Sequence, residues 1–95
     1  MSKPSDRAQV LRDVAERVSA WNEFRTDDFQ DAVAKVVSGA RELWRDDAGE
    51  LPARGKDPGF DALMDLATAA DSSPLTVRDA AARVLRAAGG VKASR

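Results

Sequence analysis

Asp27-Asp28-Phe29-Gln30-Asp31-Ala32-Val33-Ala34-Lys35-Val36-Val37-Ser38-Gly39-Ala40-Arg41-Glu42-Leu43-Trp44 is the stretch that decides the fold. Phe29, Ala32, Val33, Val36, Val37, Ala40, Leu43 and Trp44 recur at intervals of three and four. At 100° per residue they occupy an arc of roughly 140° on a helical wheel, and the charged residues fall outside it. This predicts a helix over Asp27–Arg45 whose aliphatic stripe other elements must cover. Thr26, followed by Asp27 and Asp28, supplies a hydroxyl cap and two carboxylates at the positive end of the helix dipole. Gly39 interrupts the pattern at up to ~1 kcal/mol relative to alanine. Close approach of another backbone would account for it.

Upstream, Ser5 reads as an N-cap after a frayed start (residues 1–5), with Asp6 in the first turn. A helix over Asp6–Glu23 follows, with Val10, Leu11, Val14, Ala15, Val18 and Trp21 on one face and Phe24 at its edge. The break at Asn22–Thr26 is short, so the two helices form an antiparallel hairpin with Trp21 or Phe24 near Phe29 at its closed end.

Downstream, Asp46–Lys56 contains Gly49, Pro52 and Gly55 and reads as a linker (46–57). Its carboxylates lack the alternating spacing and the closing glutamate of a calcium loop. Asp57-Pro58 opens a third helix, Pro58–Ala70, by a capping carboxylate and a proline at the first helical position. Phe60, Leu63, Met64, Leu66, Ala67 and Ala70 form its apolar face, and Asp57, Asp61 and Asp65 step along one flank. Ser72-Ser73-Pro74 ends that helix. Thr76 then reads as the cap of a fourth, Val77–Ala88, with Leu75 stapled onto Ala80. Gly89-Gly90 is a natural stop, and Val91–Arg95 a loose basic tail.

These elements predict a single all-α domain over residues 1–95. It comprises a long helical hairpin plus a shorter C-terminal helix pair, closed into one bundle or pairing with a second copy into a dimeric one. Hydrophobic residues make up 43 % of the chain, enough to place it among folded domains. Neither cysteine nor histidine is present. This excludes disulfides, thiolate chemistry and the usual metal ligands, and removes the usual near-neutral acid–base group. No phosphate-binding glycine loop has the required spacing. The expectation is therefore no catalytic residue, no metal and no cofactor. Residues 1–7 lack the apolar core of a signal peptide and no run reaches transmembrane length, so the expected location is cytoplasmic, away from membranes. The abundance of Ala, Arg, Asp, Val and Gly fits a GC-rich bacterial or phage coding style.

The expected function is a small non-catalytic interaction module, an adaptor, regulator or accessory subunit, whose partner is another protein or a second copy of itself. Trp21 and Trp44 are the candidate contact residues, because tryptophan is enriched at binding hot spots. The Asp57/Asp61/Asp65 flank is a candidate dock for a basic partner. The segment from residue 57 to 71 carries four carboxylates and no basic residue.

The alternative places function at the C-terminal end, where five basic residues face one acidic residue from Ser72 onward. Leu75-Thr76-Val77-Arg78-Asp79-Ala80-Ala81-Ala82-Arg83-Val84-Leu85 resembles the first helix of a bacterial helix-turn-helix unit. That resemblance covers about fifteen residues, and the residues after Gly90 are too few for a recognition helix. It implies a DNA-associated regulator in which Arg78, Arg83, Arg86, Lys92 and Arg95 hold phosphates. A net charge of −1 stands against it.

Overall fold

The computed structural model describes the backbone of residues 3–93 and the side chains of residues 7–89. The described residues form four helices: α1 (Lys3–Glu23), α2 (Phe29–Arg41), α3 (Pro58–Ala69) and α4 (Pro74–Ala93). A 3₁₀ turn, Glu42–Trp44, continues α2. No strand occurs among the described residues. The all-α class read from periodicity is the fold observed.

Helix boundaries differ from expectation where capping chemistry competes. Lys3–Pro4 already belong to α1, so Ser5 lies inside the helix and is not its cap. At α2 the N-cap is Asp28, which makes no side-chain cap bond. Its carboxylate is taken by the Thr26 hydroxyl, so neither residue caps α2 through its side chain. α3 starts as its sequence predicts: the Asp57 carboxylate accepts from the Phe60 N–H at 3.0 Å, with Pro58 in the first turn. α4 starts earlier than expected, at Pro74, because Ser73 takes the capping role. Its hydroxyl accepts from the Thr76 N–H at 3.3 Å. Thr76 therefore sits inside the first turn, and Leu75 is 64 % exposed, so no staple onto Ala80 forms. α4 also runs past Gly89 to Ala93. A glycine stops a helix by adopting positive φ, and the described glycines that do so are Gly49 and Gly55. Ser94 and Arg95 lie outside the described residues.

One core joins all four helices. Leu11, Val14 and Val18 of α1 meet Val33 and Val37 of α2, Leu63 and Leu66 of α3, and Val77 and Val84 of α4 in a single buried cluster. The sequence suggests the α1–α2 hairpin as the chief unit, but α1 packs most extensively on α4, and α3 next on α4. α1 and α4 are the two longest helices, of 21 and 20 residues, and offer each other the longest faces. α1 buries Ala8 and Ala15, and α4 buries Ala80, Ala81 and Ala88, so both helices present small residues beside valines. Small side chains let helix axes approach closely along their length. Asn22 pins the end of α1 to the start of α4, its Nδ2 donating to the Pro74 carbonyl at 3.0 Å.

The 46–57 segment is an ordered strap. Asp46 Oδ1 accepts from the N–H groups of Ala48 (2.9 Å) and Glu50 (3.0 Å), closing a tight turn. Gly49 there has φ +83° and Gly55 has φ +88°, left-handed values that glycine adopts without strain. Arg45 bonds Glu42 at 2.6 Å and the Gly49 carbonyl at 2.7 Å. The Arg45 hydrogen bond holds the Glu42 carboxyl below its ordinary pKa. A depressed folded-state pKa gives a contribution present above the ordinary glutamate value and lost as pH falls through the lowered one. Both side chains are solvent-accessible, which makes the effect small.

Candidate interaction surface

α1 and α2 run antiparallel, and one side of the seam between them stays open. Toward its closed end, Trp21 and Phe24 of α1 and the following turn line a pocket of about 210 Å³ with Asp28, Phe29 and Ala32. Trp21 is half-buried, and Phe24 is 80 % exposed. The Arg25 guanidinium lies 4.5 Å from the centroid of the Phe29 ring, which fixes one wall of this pocket. Toward the other end, Val10, Val14, Val36 and Ala40 floor a shallow groove of about 340 Å³, rimmed by Asp13, Arg17 and Lys35. On helical wheels, the α1 residues of both depressions share one stripe and the α2 residues share another, so the two depressions lie on the same side of the seam.

Gly39 lines that groove, and a Cβ built on it would meet nothing within 4 Å. The close approach of another backbone expected there is not found; the crowded glycine is Gly59, where side chains close in and a Cβ would lie 3.1 Å from Leu11 Cδ1 and 3.3 Å from Asp57 Oδ1. Gly39 is exposed and no packing against the described residues requires a glycine there. Gly39→Ala is expected to raise stability by up to ~1 kcal/mol through helix propensity. In thermal unfolding, that corresponds to a rise of about 4–8 °C for a domain of this size. A lowered transition temperature would contradict the open site.

The expected site residues are distributed differently from the sequence reading. Trp44 is 2 % exposed and belongs to the core, its ring centroid 6.4 Å from that of Phe60. The Arg7 guanidinium lies over the indole, 5.3 Å from its centroid, while its Nε donates to the Leu43 carbonyl at 3.1 Å. Trp44 therefore offers no contact surface in this fold, and its place at the periphery is taken by Phe24. Phe24 falls where the periodic pattern of α1 stops, which is the one signal that pointed to it.

The acidic flank of α3 is engaged within the chain. Asp57 caps the helix, Asp61 accepts from the Gly55 N–H at 3.0 and 3.2 Å, and Asp65 pairs with Arg54 at 2.9 Å. Asp61 and Asp65 tie the strap to α3, and Asp57 caps the helix itself, so each of the three carboxylates has a partner within the chain. The Asp65 hydrogen bond raises the Arg54 pKa. Among the described residues, no group of three acidic side chains could hold a metal ion.

Arg78, Arg83 and Arg86 are exposed along α4, and the ion pairs among the described residues lie elsewhere. Lys92 is on the helical backbone of α4, but its side chain and all of Arg95 fall outside the described set. Between α3 and α4, Thr68, Ala69, Ser72, Asp79, Ala80 and Arg83 line a depression of about 290 Å³ with a mixed polar and apolar surface. No helix among the described residues is long and apolar enough to cross a membrane.

The fold and these surfaces define a small all-α domain of four helices with an open apolar seam. Comparison with protein-family models, with curated proteins and with solved structures finds no match.

Proposed function

We propose that this chain is a non-catalytic helical interaction module of the cytoplasm, an adaptor, regulator or accessory subunit that docks another protein along the α1–α2 seam. The observation that carries the reading is Gly39. A helix-weakening residue lies in an apolar groove where the chain itself supplies nothing to contact. Exposed Phe24, at the second depression on the same side of the seam, adds an aromatic anchor of the kind enriched in binding hot spots. The absence of cysteine and histidine from the sequence favours binding over chemistry.

The test is capture of partners from source lysate by tagged wild type and by Val36→Glu, each with and without nuclease. Val36 is half-buried at the groove, so the substitution blocks the floor while the core stays intact, as circular dichroism would verify. The expected result is a stoichiometric protein that survives nuclease and is lost with Val36→Glu. Capture unaffected by Val36→Glu would overturn the assignment of the seam.

A second reading uses α4. Its helix extends beyond the expected stop, and Arg78, Arg83 and Arg86 are exposed with no acidic partner in ion-pair contact among the described residues. A DNA-associated regulator of this kind would lose binding when these arginines are neutralised. Its affinity would fall steeply with salt; a flat salt response excludes it.

A further inference from the structure

We infer that the strap between α2 and α3 is a latched processing site: an endoprotease that recognises a basic side chain cuts it after Arg54, and the two halves stay together as one folded domain. A protease holds several residues on either side of the scissile bond in extended form, so a helical bond must open before it is cut, and exposed irregular segments are nicked first. Among the described residues, the basic residues outside the helices are Arg25, Arg45, Arg54 and Lys56. Three of these are poorly placed. The Arg25 guanidinium rests 4.5 Å from the Phe29 ring centroid in the short link 24–28, which also holds Asp27 and Asp28. Arg45 is bonded to Glu42 and to the Gly49 carbonyl, and Asp46 follows it. Lys56 is followed by Asp57 and Pro58, which open α3. Arg54 differs: its side chain is 70 % exposed, Gly55 follows it, and Leu51, Pro52 and Ala53 before it belong to no helix or turn.

Two ties latch this bond. Asp65 pairs with the Arg54 guanidinium at 2.9 Å, and Asp61 accepts at 3.0 and 3.2 Å from the N–H of Gly55, the nitrogen of the scissile amide. Both must release before the guanidinium can enter an acidic specificity pocket and the backbone can extend. Gly55 sits at φ +88°, and glycine moves from there to an extended form without steric cost. Hydrolysis adds water across the amide, the hydroxyl to the Arg54 carbonyl carbon and the proton to the Gly55 nitrogen. The cut separates residues 1–54 from 55–95. The most extensive helix contact, α1 with α4, spans it. Leu11 and Val18 before the cut share one buried cluster with Leu66 and Val84 after it, and Asn22 donates to the Pro74 carbonyl at 3.0 Å. Neither half contains that core alone. Cleavage therefore turns a single-chain fold into a two-chain complex, whose stability depends on concentration as that of the intact chain does not.

The probe is trypsin at a limiting ratio on the full chain, followed by intact mass, size exclusion and circular dichroism. The first products are expected to be residues 1–54 and 55–95, eluting together at the size of the uncut chain with its helical signal retained. Arg54→Gln is expected to abolish that first cut. Asp61→Ala combined with Asp65→Ala is expected to speed it by about two- to fivefold, the range for loss of an exposed ion pair. The same bond should still be cut first in that variant, which separates release of the strap from general unfolding. A first cut at any other bond of the wild type would overturn the site. Halves that elute apart, or that lose the helical signal, would overturn the joined domain. An unchanged rate in the double variant, or early cuts spread along its helices, would overturn the latch.

Discussion

Val84→Asp is expected to unfold the domain at neutral pH. Val84 is 0 % exposed on the α4 face that packs against α1 and α3. No basic side chain is among the buried residues that would surround the new carboxylate. An unpaired buried charge costs about 3–5 kcal/mol, and the lost valine packing adds to it. A domain of this size has only ~5–10 kcal/mol of net stability, so little or none would remain. The introduced group escapes part of the cost by staying protonated, which raises its folded-state pKa. Its stability deficit is therefore smallest below the ordinary aspartate value of about 4 and grows as pH rises. Urea unfolding at pH 4 and pH 7 reads this directly. Leu85→Asp is the control: Leu85 is the adjacent residue, 43 % exposed, and the change should cost under about 1 kcal/mol. Equal losses at the two positions would mean that α4 does not pack in the observed phase.

Trp44→Ala is expected to lower stability by about 3–5 kcal/mol, as for other large aromatic truncations in cores. The indole fills the junction of three elements. It lies against Phe60, beneath the Arg7 guanidinium, and at 3.6 Å from where a Cβ of Gly59 would sit. Its Nε1 is buried without a hydrogen-bond acceptor, and an unpaired buried N–H costs about 1–3 kcal/mol. Removing that group offsets part of the loss, which places the alanine variant toward the lower end and makes Trp44→Phe milder still. The denaturation midpoint should fall while the partner affinity of the folded domain stays near that of the wild type, because the ring stabilises the fold and is hidden from partners. Lost binding with unchanged stability would show that Trp44 is a contact residue after all, the role its hot-spot chemistry suggested. Val36→Glu provides the opposite expectation, a loss of binding that leaves the core intact.

The contrast between those two positions shows how far the sequence could be read. Trp44 and Val36 lie on the same periodic stripe of α2, and the stripe identifies both as apolar and inward-facing. Periodicity reports the direction of a side chain around its helix axis. It carries no information on whether a neighbouring element reaches that side chain. α3 brings Phe60 and Gly59 to Trp44, whereas nothing in the chain closes over Gly39. The same limit applies to the aspartates of α3. Their one-turn spacing is plain in the sequence, but the strap residues that satisfy them, Gly55 and Arg54, arrive through a turn whose glycine has positive φ. A flank read as free charge becomes a set of intramolecular ties.

Caps show a second limit. Asp57-Pro58 is a cap that sequence alone identifies, since the carboxylate and the proline favour the same start. At Ser73, Thr76, Thr26 and Asp28 several short polar side chains compete for the same N–H groups. Local sequence does not rank them, because the choice depends on which hydroxyl the backbone brings within reach.

The sequence by itself determined the helical class, the four segments, their inward faces and the absence of cysteine and histidine chemistry. Each is a local property, set by side-chain type and a 3.6-residue period. Tertiary structure alone decided that α1 takes α4 as its chief partner, that the aspartates bind their own strap, and that the α1–α2 seam stays open. Those outcomes depend on which faces come closest when four helices share one core. α1 and α4, the two longest helices, share the most extensive contact, while α1 and α2 share a narrower one and leave Gly39 uncovered.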